Sequence, residues 1–344
     1  MIRLGIVGCN YGRTVLLPAF RADPRCEVVA LGGTDRARTE KLAHEAGVPK
    51  SFDDWAALVG DADVDAVAIA TPPRTQSGIA IRALQLGKPV FAEKPLAADR
   101  AGAEAMLAEV SRAGVATMVD FEFLELPTWQ RAKTLIDDNS LGAIRHVIVN
   151  WNVENYATRM RLRNWKTQAA DGGGVLGNFV SHCFFYLEWL CGPIGGLSAR
   201  VSAPPDAPDL ETTALLSFSF RSGAVGSLAM SSASYLGSGH RIEIYGEEGT
   251  LVLANATADY MRGFELLFAR RPAIKLERIE AYDPIDAKYP DGRIAPVSRL
   301  AGRFLDAITG KGQAYPSFAE GFRVQSLIDA ARQSGNSGCA EVRL

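Results

Sequence analysis

The first third of the chain alternates between two patterns of apolar and polar residues. Short continuous apolar runs, such as Ile2–Val7, are typical of buried strands, and segments with apolar residues three or four apart are typical of helices. Strands that alternate with helices predict βαβ units and a parallel, doubly wound sheet. The pattern predicts strands at 2–7, 27–31, 64–70, 89–92 and 115–120, and helices at about 36–46, 75–86 and 100–113.

After about Pro127 the pattern changes to strands in quick succession with few helices between them, which is typical of an antiparallel sheet covered on one face. The last two of these strands are predicted to form a hairpin through Gly246–Gly249. We predict a helix at about 128–139, strands at 144–153, 197–203, 212–220, 224–231, 241–245 and 250–253, and closing helices at 297–309 and 321–334.

A chain of 344 residues exceeds what one hydrophobic core usually serves, so we predict an α/β protein of two domains. Residues 1–122 would hold the parallel sheet. Residues 123–344 would form an α+β domain with a large open, mostly antiparallel sheet, and the closing helices could return to the first domain. Because strands 144–151 and 214–220 carry apolar residues at alternate positions, we expect this sheet to be buried in a homodimer or homotetramer.

Charge and cysteine content exclude several classes of protein. The formal net charge of −2 favours neither nucleic acid nor an anionic membrane as a partner. No segment approaches the length of a membrane span, and the N-terminal apolar run lacks the basic start of an export signal. The five cysteines are scattered and include no Cys-x-x-Cys, so we expect free thiols, no metal site and a cytoplasmic protein.

A glycine turn, Gly8-Cys9-Asn10-Tyr11-Gly12, follows the first strand and precedes a predicted helix. Turns of this kind let backbone amides and a helix N-terminus face a pyrophosphate. Asn10 stands where the usual fingerprint has a glycine, and asparagine tolerates a positive φ better than other non-glycine residues. A plain strand-to-helix turn is the alternative.

The end of the second strand bears on the choice of cofactor. An acid that binds the free ribose is expected about twenty residues after the glycine turn when the cofactor is NAD. The chain has Gly33 and Thr34 at this point, followed by Arg36 and Arg38, which suit a 2′-phosphate and so favour NADP over NAD. Asp35 is the counter-argument, either as a ribose ligand or as a helix cap.

Lys94 follows the predicted strand at 89–92 in the sequence Glu93-Lys94-Pro95. A lysine just past the carboxyl end of a parallel strand projects into the crevice where open α/β sheets bind their ligands. Taken alone, the motif could be a surface Lys-Pro loop. A glycine turn and a downstream histidine in the same chain favour a functional site.

Three glycines, Gly172–Gly174, lead into a segment that contains Asn178 and His182. Four residues apart on an α-helix, these two side chains would share a face. A histidine can exchange a substrate proton near neutral pH, although a satisfied core histidine is the commoner case. The neighbouring Cys183 would point away, so a Cys-His nucleophile pair is not expected, and His44, His146 and His240 are assigned structural roles.

These residues together resemble the Gfo/Idh/MocA oxidoreductases, the glucose-fructose oxidoreductase and inositol dehydrogenase family. The resemblance covers nearly the whole chain, and the run from Thr-Pro-Pro to Glu-Lys-Pro is highly specific in combination. It implies a Rossmann domain followed by an α/β domain with a large open sheet. The matching segments are Gly8–Asn10, Leu17–Phe20, Asp65–Pro73, Gly87–Pro95 and Gly172–Gly174.

The resemblance implies roles for individual residues. Lys94 matches the family lysine that contacts the nicotinamide side and the reacting hydroxyl, and His182 matches the acid/base that closes an Asp-x-x-x-His motif. Asn178 replaces the Asp of that motif and cannot carry charge or take a proton. Gln76 replaces the common histidine after Thr-Pro-Pro. The expected cofactor contacts are Gly8, Asn10, Tyr11, Gly12, Arg13, Gly33, Thr34, Asp35, Arg38, Thr71, Pro72, Gln76, Glu93 and Lys94.

The resulting hypothesis is an NAD(P)-dependent oxidoreductase that moves hydride between nicotinamide and a secondary alcohol or ketone of a sugar, cyclitol or related polyol. Lys94, His182 and Asn178 would form its catalytic group. The alternative is a non-catalytic dinucleotide-binding sensor or regulatory protein of the same fold, which the loss of the Asp favours and the retention of Lys94 and His182 opposes.

Overall fold

The computed structural model describes all 344 residues. The chain divides into two compact units. The first unit comprises Met1–Glu122 and Ile285–Gln325, and the second comprises Phe123–Pro284 and Ser326–Leu344.

A six-stranded parallel sheet of strand order β3-β2-β1-β4-β5-β6 forms the centre of the first unit. The order reverses beside β1, which in doubly wound folds marks the place where ligands bind. Its strands are β1 (Ile2–Val7), β2 (Cys26–Gly32), β3 (Lys50–Phe52), β4 (Ala66–Ile69), β5 (Val90–Ala92) and β6 (Thr117–Val119). The helices that alternate with these strands are α1 (Leu17–Arg21), α2 (Arg36–Glu45), α3 (Trp55–Gly60), α4 (Pro73–Gln85) and α5 (Arg100–Ala113).

Cap residues fix where the helices of the first unit begin. The carboxylate of Asp35 accepts a hydrogen bond from the backbone N–H of Arg38, and Asp99 accepts one from Gly102. Each satisfies a backbone donor that a helix start otherwise leaves without an intrahelical partner. The cap at Asp35 is one of the two roles that the sequence allowed for this residue. The sequence did not predict β3, which has three residues and no fully buried side chain, so its hydrophobic pattern is weak.

A nine-stranded sheet of order β14-β13-β12-β11-β7-β10-β9-β8-β15 forms the second unit. All neighbours in it are antiparallel except β7 and β10. The strands are β7 (Ile144–Asn152), β8 (Ile194–Ser202), β9 (Thr213–Phe220), β10 (Val225–Ser231), β11 (Gly239–Gly246), β12 (Gly249–Asn255), β13 (Glu265–Arg270), β14 (Glu277–Ile279) and β15 (Val342–Arg343). The remaining helices of the chain are α6 (Pro127–Asp137), α7 (Tyr156–Arg159), α8 (Ser181–Cys191), α9 (Ile294–Ile308) and α10 (Phe318–Asn336).

The predicted fold class is confirmed, including the hairpin of β11 and β12, in which Tyr245 pairs with Thr250. Strands β13 and β14 were not predicted, because most of their side chains remain partly or fully exposed and give little alternation. None of the helices combines the length and apolar character needed to cross a membrane.

The helix that carries Asn178 is not a regular α-helix from its start. Residues Leu176–Val180 form a turn of π-helix, and α8 continues from Ser181. The π turn was not predicted. That Asn178 and His182 share a face of the helix stays a prediction, since residues four apart are neighbours in both kinds of turn. A second π turn, Gly12–Leu16, follows the glycine turn of the first unit.

Candidate active site

The glycine turn after β1 requires glycine at its first position. Gly8 has a φ of +122°, and a Cβ there would lie 2.2 Å from the carbonyl oxygen of Ala70 at the end of β4. The helical segment starts at Tyr11 and runs through the π turn into α1, so its first N–H groups open at the carboxyl edge of the sheet. This arrangement suits a phosphate group.

Asn10 does not use a positive φ, contrary to the argument from sequence. Its side-chain oxygen instead accepts a hydrogen bond from the guanidinium of Arg38 at 2.8 Å. The Asn10 contact joins the glycine turn to the end of β2, where Thr34 is exposed. Asp35 caps α2 through the N–H of Arg38 at 2.7 Å, as one of the two sequence interpretations had it.

Lys94 lies where the carboxyl ends of three parallel strands meet. The N–H of Glu93 donates to Ile69 of β4 at 2.9 Å, and the N–H of Asp120 donates to Ala92 of β5 at 2.8 Å. The residues that follow β5 and β6 therefore come together at one edge, as expected for a ligand crevice. Glu122, two residues beyond Asp120, is buried.

Two acids, Glu93 and Glu122, interact with the charge of Lys94, and Asp120 interacts with both of these acids. Burial raises the pKa of Glu93, while Lys94 opposes the rise. Burial and the neighbouring charges of Glu93 and Glu122 hold the pKa of Asp120 well above its usual range. Burial raises the pKa of Glu122 to about 7, again opposed by Lys94. We name Glu93, Lys94, Asp120 and Glu122 the acid–lysine cluster.

Glu93 and Asp120 interact directly within this cluster. Burial raises the pKa of both carboxyl groups, and the hydrogen bond between their side chains favours the protonated form of Asp120. The Asp120 side chain has no exposed surface. The hydroxyl of Tyr11 donates to Asp120 at 3.1 Å, and the guanidinium of Arg293 lies 5.3 Å above the Tyr11 ring.

Gln76 braces the loop that carries Lys94. Its buried side-chain amide nitrogen lies 2.6 Å from the carbonyl oxygen of Glu93 and 3.0 Å from those of Pro95 and Leu96. With 1% of its surface exposed, the Gln76 side chain contacts the loop and not solvent.

Thr71 and Arg13, two further predicted cofactor residues, are half-buried, and Pro72 is exposed just before α4.

In the second unit, Gly172 and Gly174 adopt positive φ values of +85° and +70° in the turn that leads to His182. His182 is buried with 4% exposure, and Asn178 is half-buried. The His182 ring meets Phe123 edge to face at 5.2 Å and lies 6.2 Å from the ring of Trp151. The imidazole thus packs against a cluster of aromatic rings, which we name the aromatic wall and which includes Phe123 and Trp151.

His240 lies in the same aromatic wall as a core residue. Its ring stacks on Trp151 at 4.1 Å and 3°, and its Nε2 lies 2.9 Å from the hydroxyl of Tyr186. Burial lowers the pKa of His240 to about 3, so it stays neutral.

Burial also raises the pKa of the Cys183 thiol to about 12, which makes a reactive thiolate beside His182 unfavourable.

Sequence reasoning missed Asp120 and Glu122. The signal was present, because Asp120, Glu122 and Glu125 alternate with apolar residues immediately after a buried strand. Carboxylates at the carboxyl end of a parallel strand are candidates for a site on position alone. No group of histidine, cysteine and acidic side chains is arranged to hold a metal ion.

Two family models match the chain. Residues 2–121 match the model described as an oxidoreductase family with an NAD-binding Rossmann fold, and residues 129–252 match the GFO/IDH/MocA C-terminal domain. The chain belongs to the Gfo/Idh/MocA oxidoreductase family. The family and the oxidoreductase class predicted from the sequence are confirmed.

Individual relatives agree with this membership. An uncharacterized oxidoreductase of Synechocystis sp. is 30% identical over 97% of this chain and 94% of its own length. Levoglucosan dehydrogenase of Pseudarthrobacter phenanthrenivorans is 26% identical over 86% of this chain and 84% of its own. A solved levoglucosan dehydrogenase in complex with NADH and levoglucosan has a TM-score of 0.88 and 24% identity over 99% of both chains, which shows the shared fold.

Proposed function

We propose that the protein transfers hydride between a nicotinamide cofactor and a secondary alcohol, or its ketone, in a sugar, cyclitol or related polyol. The position of Lys94 carries this proposal. This lysine is a cation at the carboxyl edge of a Rossmann sheet, beside a buried acid, Glu122, whose pKa burial raises to about 7. Relatives named levoglucosan dehydrogenase and myo-inositol 2-dehydrogenase support the substrate class.

The residues of the first unit fit a dinucleotide. The turn at Gly8 brings backbone close to the edge of the sheet, and the helix from Tyr11 offers N–H groups to a pyrophosphate. When bound, the nicotinamide would supply the hydride acceptor or donor. The chain's own part is to hold cofactor and substrate in line and to move one proton.

The catalytic roles follow from the chemistry of three side chains. Lys94 would hold the reacting oxygen and the nicotinamide side, with its charge balanced by Glu93 and Glu122. His182 would take the hydroxyl proton when an alcohol is oxidised and return it in the reverse direction. Asn178 would orient ligand or histidine through its amide without exchanging protons.

We propose that NADP(H) is preferred to NAD(H). Asp35 is occupied as the cap of α2, which leaves the end of β2 without an acid aimed at a free ribose. Thr34 and the guanidinium of Arg38, which is held at Asn10, suit a 2′-phosphate. Solved relatives of this fold contain NADH, so the preference must be tested on this chain.

Fluorescence titration with both reduced cofactors tests the preference. We expect tighter NADPH binding, and we expect Thr34→Asp to shift the preference toward NADH because an added carboxylate repels the 2′-phosphate and accepts from a free ribose. Glu45→Gln, an exposed change at the far end of the same helix, is the matched control. Clearly tighter binding of NADH by the wild type would exclude the preference.

Turnover separates the enzyme from the non-catalytic alternative. The replacement of the family Asp by Asn178 is the observation that favours a dinucleotide-binding sensor. Purified protein is incubated with either cofactor and a panel of sugars, cyclitols and their ketones, and absorbance of the reduced nicotinamide is followed. Steady turnover on one class supports the enzyme, and tight cofactor and sugar binding with no turnover on any panel member supports the sensor.

A further inference from the structure

Glu211 lies at the start of the helical segment that carries Asn178 and His182. This segment has no capping side chain and no acid of its own in its first turn. The carboxylate of Glu211, from the segment before β9, lies beside this start, where the backbone N–H groups of Val175 and Leu176 favour its charged form. A negative charge beside a helix N-terminus is stabilised by the helix dipole.

The carboxylate lies directly against the glycine turn. A Cβ on Gly174 would lie 2.1 Å from Oε2 of Glu211, so only glycine leaves room for the acid at this position. The φ of +70° at Gly174 excludes most other residues independently. The position of the Glu211 carboxylate therefore depends on a glycine at position 174.

Arg332 of α10 holds Glu211 in place. Its Nη1 donates to Oε1 of Glu211 at 2.8 Å, and its Nη2 donates to the carbonyl oxygen of Gly173 at 3.0 Å. The two side chains are 16% and 24% exposed, so water screens the pair only in part. The guanidinium of Arg332 therefore joins Glu211 to the glycine turn at Gly173 and holds both against α10.

We propose that Glu211 is a positioning residue for the reaction, and that its carboxylate, clamped by Arg332, fixes the start of the helix and through it the positions of Asn178 and His182. The inference rests on the proposed function. A helix start that shifts moves every side chain in the following turns, and a displacement of about 1 Å at a reacting group can cost about 100-fold in rate.

Kinetics of Glu211→Ala test the proposal. We expect kcat to fall about 10- to 100-fold at every pH, with the limbs of the pH profile unmoved and NADPH affinity within about 2-fold of wild type. Glu211→Gln keeps the side-chain shape and one acceptor oxygen, so it should recover part of the lost kcat. Glu265→Ala, which breaks the exposed pair with Arg278 in the same unit, is the matched control and should keep full kcat.

Two outcomes would overturn the proposal. One is a folded Glu211→Ala variant with the kcat of the wild type. The other is a Glu211→Gln variant whose kcat, NADPH affinity and melting temperature all fall together, which indicates general loss of structure. Because Glu211→Gln retains an oxygen that can accept from Arg332, it serves as the test if the alanine variant does not fold.

A measurement independent of turnover separates this inference from the proposed function. The chain has four histidines, so the imidazole NMR signals can be assigned by single substitution. The signal of His182 should shift in Glu211→Ala and stay in place in Glu265→Ala. If the wild type turns over no substrate of the panel, the proposed function fails, and an unmoved His182 signal would then refute the positioning role as well.

Discussion

At the scale of single residues, Lys94 works within a balance of charges. Glu93 and Glu122 interact with its ammonium, while burial and the charges of these two acids hold the pKa of Asp120 well above its usual range. The positive charge of Lys94 is therefore partly offset by the neighbouring carboxyl groups. Coupled groups of this kind titrate together, so pH effects belong to the cluster as a whole.

We expect Lys94→Ala to remove most turnover and to leave the fold intact, because the lysine supplies charge at the reacting oxygen and its backbone is braced by Gln76. Turnover and thermal melting by circular dichroism are measured together. Lys41→Ala, whose side chain is 75% exposed, is the control. Retained turnover in Lys94→Ala would show that the catalytic assignment is wrong.

Glu122→Gln should change how stability depends on pH. The folded chain holds the Glu122 proton more tightly than the unfolded chain, since burial raises its pKa to about 7. Ionisation of Glu122 therefore destabilises the wild type as the pH rises from about 4.5 through 7. The glutamine variant avoids this loss, which amounts to about 3 kcal/mol for a shift of this size.

Urea unfolding at pH 5 and pH 8 measures this effect. The variant should gain stability relative to the wild type at pH 8 and lose that advantage at pH 5. Glu104→Gln, an exposed substitution in the first unit, should show no such difference. An equal gap between variant and wild type at both pH values would mean that Glu122 ionises normally.

At the scale of elements, a π turn, Leu176–Val180, precedes α8 in the segment that carries Asn178 and His182. A regular α-helix was expected there, because the spacing of residues alone does not reveal a wider turn. The long apolar strands and the capped helices were predictable, since burial and caps leave a direct pattern. Strands such as β3 and β14 have no fully buried side chains, so the sequence shows no alternating pattern that would predict them.

Asn178→Asp tests this element. If Asn178 adjoins the histidine, the added carboxylate favours the charged imidazole and moves the acid limb of the pH–rate profile upward. The profile is recorded for kcat at saturating cofactor. Asp171→Asn, in the preceding turn, changes one carboxylate outside the helix and serves as comparison. An unmoved limb in Asn178→Asp would remove the residue from the site and favour the sensor.

The candidate site followed from sequence to different extents. Lys94 and the glycine turn were found because strand ends and glycine spacing are local signals. The contact between Asp120 and Glu93 was not predicted, because it depends on which strands lie side by side. The role of Gln76 was also hidden, since its three carbonyl partners lie seventeen to twenty residues away.

At the scale of the whole molecule, the outer face of the nine-stranded sheet predicts self-association. Leu215 and Val225 are 50% and 53% exposed there, and Ile148 lies on the same face in register with β10. Exposed apolar side chains grouped on one sheet are costly in water. We propose that a second copy of the chain covers this face in a homodimer or homotetramer.

Light scattering at micromolar concentration tests the assembly. The wild type should be a dimer or tetramer, and Leu215→Lys combined with Val225→Lys should shift it to monomer, because buried lysines without partners oppose association. Ile274→Lys changes a fully exposed residue between β13 and β14 and should leave the assembly unchanged. A monomeric wild type would exclude this proposal.

Trp151, which stacks on His240 and lies near His182, gives the protein an internal fluorescent reporter. Protonated imidazole quenches a nearby indole, and His240 remains neutral down to a pH of about 3. A fluorescence titration between pH 5 and 9 therefore follows His182, whose ring lies 6.2 Å from Trp151. We expect His182→Gln to abolish the pH-dependent quenching and Trp151→Phe to remove the signal itself, so that proton exchange can be watched without any substrate.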